Sequence, residues 1–161
     1  MRVGLISDTH GLLRPQARSF LEGSDHIIHA GDICEPRTLE DLSALAPLTA
    51  VRGNNDHGAW AERLPPGADV LIGEVLIRVV HDLADLADVE RGLCADGLGS
   101  NGAAPARVVI SGHSHKPSVK ERDGILYVNP GSAGPRRFKL PITVGELLID
   151  GRSVSARIVE L

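Results

Sequence analysis

The 161-residue sequence predicts an α/β fold of two packed mixed β-sheets flanked by helices. Three observations carry that expectation. The first third alternates short apolar runs with helix-like segments, the signature of parallel β-α-β units with right-handed crossovers. The later part offers paired apolar runs joined by Gly-containing turns, the signature of hairpins. Five of the apolar runs are followed at once by short clusters carrying Asp, Asn or His, three of them opening on Gly, and open α/β sheets bind their ligands just beyond the carboxyl ends of strands.

In chain order, residues 2–7 form the first expected strand. A helix near 14–22 follows, with Pro15 in its first turn and Gly23 as its stop. A strand at 26–30 precedes a helix near 36–46 that opens at Pro36, stops before Pro47 and buries Leu39, Leu42 and Ala46. A strand at 48–52 completes the β-α-β-α-β unit. Residues 69–81 read as two strands turning at Gly73-Glu74, 107–111 as a further strand, and 117–128 as a hairpin turning at Asp123-Gly124. A last hairpin, 143–149 with 153–160, turns at Asp150-Gly151. Gly92–Ala106 reads as a mobile loop, and Pro130–Pro141 as an irregular one carrying Arg136, Arg137 and Lys139.

The length suits one domain over residues 1–161. Aromatic content of 2% leaves Val, Ile, Leu and Ala to build the core. A net charge of −4 and scarce aromatics argue against nucleic-acid polymers as partners. Two cysteines, Cys34 and Cys94, are too few for a disulfide framework. No run approaches the length of a membrane span, and the N-terminus lacks the form of a signal peptide. The expected setting is cytoplasmic, with no membrane partner.

The polar clusters at the strand exits are Asp8-Thr9-His10, Gly31-Asp32, Gly53-Asn54-Asn55-Asp56, His81 and Gly112-His113-Ser114-His115. If the chain stays extended, side chains at i and i+2 share a face, so Asp8 with His10 and His113 with His115 each deliver two ligands in one direction. Four of the seven histidines (10, 81, 113 and 115) lie at these exits beside acidic or amide residues. Singly, each is an ordinary histidine or turn aspartate; together they point to a metal centre. Carboxylate, amide and imidazole donors suit borderline divalent ions such as Mn, Fe or Zn. A pair of ions needs a bridging carboxylate, and Asp32, alone between the other clusters, is the natural bridge.

In this order, these motifs resemble the calcineurin-like metallophosphoesterase superfamily. The chain length and the Asn129-Pro130-Gly131-Ser132 run resemble its small bacterial and archaeal phosphodiesterase branch, which also includes the retromer subunit Vps29. The resemblance implies an αββα sandwich with two divalent ions per chain, Mn foremost and Fe, Zn, Ni or Co as alternatives. It places Asp8, His10, Asp32 and His115 on one ion and Asp32, Asn54, His81 and His113 on the other. It further implies that a hydroxide bridging the two ions attacks the phosphorus of a small-molecule phosphate ester.

Two departures matter. Many superfamily members carry His after the ligand Asn; here Asn55 cannot act as an acid at neutral pH, which favours diesters with good leaving groups. Position 82, often Gly in the branch, is Asp82, read as a solvated loop residue. Asp56 orients His10 or another ligand, or is a turn residue; Asn55 and Asp56 complete the expected catalytic set with Asp32 and Asn54. Arg136 and Arg137 are the expected substrate-binding residues, against a solvated basic loop. Cys34 is expected as a small buried filler, His26 and His29 as structural, and Trp60 as packing; His57 receives no role. The favoured function is a metal-dependent phosphodiesterase, with a Vps29-like binding scaffold or a phosphomonoesterase or protein phosphatase as alternatives. A homo-oligomer rests on resemblance alone.

Overall fold

The computed structural model describes residues 1–86, 106–137 and 139–161. The predicted loop at 92–106 and Cys94 lie outside them, except that the backbone of Ala106 opens a strand. The strands are β1 (Arg2–Ile6), β2 (His26–His29), β3 (Leu48–Ala50), β4 (Gly67–Ile72) and β5 (Val75–Val80). They continue as β6 (Ala106–Ile110), β7 (Ser118–Arg122), β8 (Ile125–Asn129), β9 (Thr143–Asp150) and β10 (Ser153–Glu160). Helices α1 (Pro15–Leu21) and α2 (Pro36–Ser43) each open on a proline, whose fixed φ suits a first helical turn.

The strands form two mixed five-stranded sheets, ordered β10-β9-β1-β2-β3 and β4-β5-β6-β8-β7. Parallel β1-β2-β3 pairing follows the sequence reading. The three expected hairpins form, and both residues of the Asp123-Gly124 turn take positive φ (53° and 73°), as a tight two-residue turn requires. The second sheet is more parallel than hairpins alone imply, because β6 pairs parallel with both β5 and β8. Helix α2 ends at Ser43, so Ala46 is buried by the turn after it, and Thr38 joins Leu42 on the buried face in place of the half-buried Leu39.

Alternation along β1 and β2 sends side chains to two apolar layers. Val3, Leu5 and Ile28 pack with Ile77, Val79, Ile110 and Val128, between the sheets. Ile6 and Ile27 turn the other way, onto Ala17, Leu21 and Leu42 of the helices. Each such fully buried Leu or Ile contributes roughly 1.5–3 kcal/mol. Both faces of β1 and β2 are therefore fixed, and with them the loops at their carboxyl ends.

A polar node ties the far side of this sheet together. Glu146 on β9 is 3% exposed and accepts from Arg2 Nε and Arg157 Nη2, each at 2.6 Å. Burial opposes its ionisation, but the two guanidiniums outweigh that and hold its pKa below the usual value. Arg2 also donates to the carbonyls of Phe20 and Glu22 at the end of α1, where helix carbonyls lack partners. Glu146→Ala leaves both guanidiniums without their carboxylate and is expected to lower stability by about 1–3 kcal/mol in urea unfolding; an unchanged midpoint would show the node to be dispensable.

Candidate metal centre

All five predicted clusters sit at one edge of the two sheets, after β1, β2, β3, β5 and β6. Backbone pairing continues past the strand ends: Asp8 N donates to Gly31 O (3.0 Å), His10 N to Asp32 O (2.9 Å), and Gly11 N to Ile33 O (2.8 Å). Gly112 N reaches His81 O at 3.0 Å, joining the loops of the second sheet in the same way. These loops are not extended, contrary to the i, i+2 reasoning. Asp8, His10, Asp32, His113 and His115 all have positive φ, between 45° and 63°. The paired donors converge because each lies in a left-handed turn. Such non-glycine conformations cost on the order of 1–3 kcal/mol each and persist only where the surroundings over-determine them.

Close packing supplies part of that restraint. A Cβ on Gly53 would collide with the backbone and carboxylate of Asp32, and one on Gly112 with Ser7 Oγ and Asp8 Oδ2. Only glycine lets the Asn54 and His113 loops approach the carboxylates so closely.

The donor atoms fall into two neighbouring groups. In the first, His115 Nε2 lies 3.3 Å from Asp8 Oδ1 and 3.4 Å from His10 Nε2, and His10 Nε2 lies 3.7 Å from Asp32 Oδ2. In the second, Asn54 Oδ1 is 3.0 Å from both His81 Nε2 and His113 Nδ1, and His81 Nε2 is 3.4 Å from Asp32 Oδ1. Asp32 thus turns one oxygen to each group. Asp8, Asp32 and His81 also offer atoms within 4.8 Å of one another, so Asp8 borders the second group.

Electrostatics keeps the carboxylate charged. Burial works against ionisation of Asp32, but bonds from His81 and from the Asn55 backbone and side chain prevail and hold its pKa well below the ordinary range. Burial also depresses His10, helped by the Arg137 guanidinium against the pull of Asp32. His81 goes the other way: burial is overcome by Asp32 and by the Ala30 carbonyl, which lies 2.8 Å from Nδ1.

The remaining predicted residues find distinct places. Asn55 grips Asp32, its N–H on Oδ1 (2.8 Å) and its amide on Oδ2 (2.7 Å). Asp56 is buried and accepts from Cys34 N and Gly53 N, both at 2.7 Å, so it staples two loops by their backbones. Asp82 Oδ2 lies 3.5 Å from His113 Nε2, and its Oδ1 caps the turn at Leu83–Asp85 through Ala84 N. Arg137 Nη2 is 3.3 Å from His10 Nε2, whereas Arg136 is exposed and makes no such contact among the described residues. Exposed His57 and half-buried Trp60 have no hydrogen bond to the cluster among the described residues. Cys34 is not the buried filler expected: it is half-buried, Sγ lies 3.5 Å from His10 Nδ1, and burial beside Asp56 raises its thiol to about 11.

Several supporting residues escaped the sequence reading. Ser7 Oγ donates to Asp8 Oδ2 (2.7 Å), leaving Oδ1 free for the cluster. Asn129 binds Gly112 O (2.7 Å), Ser114 Oγ (3.2 Å) and Gly131 N (2.9 Å), and Ser132 Oγ donates to Asp8 O (3.0 Å). The Asn-Pro-Gly-Ser run is thus a clamp on the loops that carry Asp8 and His113.

The residues fit a divalent-metal centre. Asp8 Oδ1 is buried with no hydrogen-bond partner, beside two imidazole nitrogens, an arrangement that a cation satisfies and that otherwise costs desolvation energy. A family model described as the calcineurin-like phosphoesterase superfamily domain matches residues 1–152. The chain belongs to that superfamily. A probable metallophosphoesterase of Methanothermobacter thermautotrophicus is 32% identical, with 99% of this chain and 92% of that one aligned. Another from Methanocaldococcus jannaschii is 37% identical over 82% of this chain and 68% of its own. Wild-type Vps29 of Entamoeba histolytica, solved in complex with zinc, shares the fold at a TM-score of 0.70 and 24% identity, covering 99% of each chain. The two-sheet sandwich is the superfamily's architecture.

One pH effect follows from the buried ring beneath these loops. Burial pulls His29 down from 6.5 to about 4 in the fold. Between those values the unfolded chain binds the proton and the fold does not, so the contribution from this ring is complete above pH 6.5 and is lost as pH falls to 4. At about 1.4 kcal/mol per pH unit, the loss is roughly 3 kcal/mol. Urea midpoints of metal-stripped wild type and His29→Asn should therefore draw together as pH falls through this window; a constant gap would contradict it.

Proposed function

We propose that the chain is a metal-dependent phosphodiesterase acting on small-molecule phosphate esters with two divalent ions per chain. The observation that carries this reading is that the Asp32 oxygens face two separate donor groups. Asp8, His10, Asp32 and His115 would hold one ion, and Asp32, Asn54, His81 and His113 the other. Mn suits these oxygen and imidazole donors, and Fe, Zn, Ni or Co can replace it. The zinc bound by the Entamoeba Vps29 supports a transition-metal site on this fold. Bound, the ions supply Lewis-acid polarisation of the phosphoryl oxygens and a water of lowered pKa.

The chain's own groups set the rest. Ser7 and Asn55 orient the two carboxylates, so the donors need little rearrangement to receive a cation. Arg137, beside His10 at the mouth, offers a planar pair of donors to a phosphate oxygen, with Arg136 adding charge from solvent. Asn55 donates to Asp32 and has no proton to give a departing alkoxide, which supports diesters with good leaving groups over monoesters. Among the described residues no helix is long and apolar enough to cross a membrane. We place this single-domain enzyme in the reducing cytoplasm, where a free thiol beside a ligand persists.

A binding scaffold of the Vps29 kind is the second reading, favoured by the shared fold. The complete donor set supports the enzyme, and turnover separates the two. Metal-saturated protein is expected to bind close to two ions per chain by mass spectrometry, to hydrolyse bis-aryl phosphates, and to lose this with chelator. Asp32→Ala should remove both ions, since one carboxylate serves both groups. Two tightly held ions in that variant would end the bridging assignment, and no hydrolysis of any ester by loaded wild type would favour the scaffold.

Leaving-group dependence tests Asn55. Aryl diesters should be cleaved far faster than alkyl ones, and Asn55→His should narrow the gap by part of the 10²–10⁴-fold range of general acids. Equal wild-type rates on both, with chemistry rate-limiting, would mean that another residue protonates the leaving oxygen.

A further inference from the structure

His29 is a fully buried histidine that the proposed reaction does not use. It closes β2 directly beneath the ligand loops. Its Nδ1 accepts from Gly31 N at 3.2 Å, and its Nε2 lies 3.0 Å from Thr9 Oγ1, itself fully buried. Thr9 Oγ1 in turn reaches Ile33 O at 3.3 Å. Chemistry fixes every proton in this chain. A backbone N–H can only donate, so Nδ1 carries the lone pair and the neutral ring carries its hydrogen on Nε2. That hydrogen goes to Thr9 Oγ1, and the Thr9 hydroxyl hydrogen goes to the Ile33 carbonyl.

The endpoints give the chain its meaning. Thr9 lies between the ligands Asp8 and His10, while Gly31 and Ile33 flank the ligand Asp32. Asp8, His10 and Asp32 all have positive φ, so each needs outside support. An apolar side chain would fill the same space without polar desolvation, so packing alone does not call for a histidine and a threonine there. We propose that His29 and Thr9 are positioning residues for the metal centre, forming a proton-ordered brace that locks the Asp8–His10 loop to the Asp32 loop. The proposal rests on the metal-centre reading and extends it to residues that touch no ion.

The test is calorimetric titration of metal-stripped protein with Mn²⁺, paired with urea unfolding of the same metal-free variants. Thr9→Val keeps the shape and removes the hydroxyl; partners that orient ligands typically cost 10–100-fold in metal affinity when lost, and a fall of that size is expected. Thr9→Ser restores the hydroxyl and should return affinity to within about threefold of wild type, a loss well below that 10–100-fold range. His29→Asn keeps an acceptor for Gly31 N but is too short to reach Thr9, so its affinity should fall with that of Thr9→Val. It also decides the matter if Thr9→Val does not fold. Wild-type affinity in Thr9→Val or His29→Asn, with only stability lowered, would reduce the brace to core structure and overturn the proposal. Affinity as weak in Thr9→Ser as in Thr9→Val would overturn it too, by assigning the effect to the methyl group. Failure of wild type itself to bind Mn²⁺, Zn²⁺ or Co²⁺ would instead remove the metal-centre reading on which the proposal stands.

Discussion

The donor-rich edge depends on one constraint: the backbone ladder between β1 and β2 does not stop where the strands stop. Asp8, His10 and Gly11 go on donating to Gly31, Asp32 and Ile33 after both segments have left β geometry. That continuation holds three donor residues, Asp8, His10 and Asp32, in left-handed turns that would relax if the loops parted. The restraint is anchored below by Leu5 and Ile28 in one apolar layer and Ile6 and Ile27 in the other. From above, Asp56 joins the Cys34 and Gly53 backbones, and Ser132 holds the carbonyl of Asp8. Precision at the site is therefore a property of loops fastened to a doubly packed sheet.

This arrangement concentrates electron-pair donors that elsewhere would be kept apart. Two carboxylates, one amide oxygen and four imidazoles share one edge, and Asp8 Oδ1 remains without a hydrogen bond. Ser7, Asn55 and the Ala30 carbonyl spend their polar groups on orienting these donors. The fold alone does not decide what such an edge does, because Vps29 displays the same architecture. What a given chain does with it depends on the groups around the donors; in this one those include an amide at position 55 and a guanidinium beside His10.

Much of this was legible in the sequence for a physical reason: buried strands leave apolar runs, and ligands must follow strand ends. Asp8, Asp32, Asn54, His81 and His113 were therefore placed on one edge without coordinates. What failed was local geometry. Extended backbone would converge Asp8 with His10 at i and i+2, but left-handed turns achieve it, and single-residue φ leaves no periodic trace. The parallel partners of β6 were missed because hairpin turns are local signals and crossovers are not. Helix α2 stopped three residues early because Ala44 and Leu45 are helix-compatible yet pass into a turn. The roles of Cys34 and Asn129 leave no local trace in the sequence for a shared reason: their partners, His10 and Gly112, are distant in sequence.

The position of β1 has a consequence for how the molecule is made. One of its edges meets β2 early in the chain, but the other waits for β9, and the amino group of Met1 reaches Ile149 O across 148 positions. During synthesis the first three strands emerge as a partial sheet with an open, apolar-faced border, the kind of border that recruits other strands. Pairings of such long sequence separation close slowly, since chain entropy is surrendered before contact energy is gained. Completion of the sheet, and with it the tightening of the loops above β1, waits for β9 and β10.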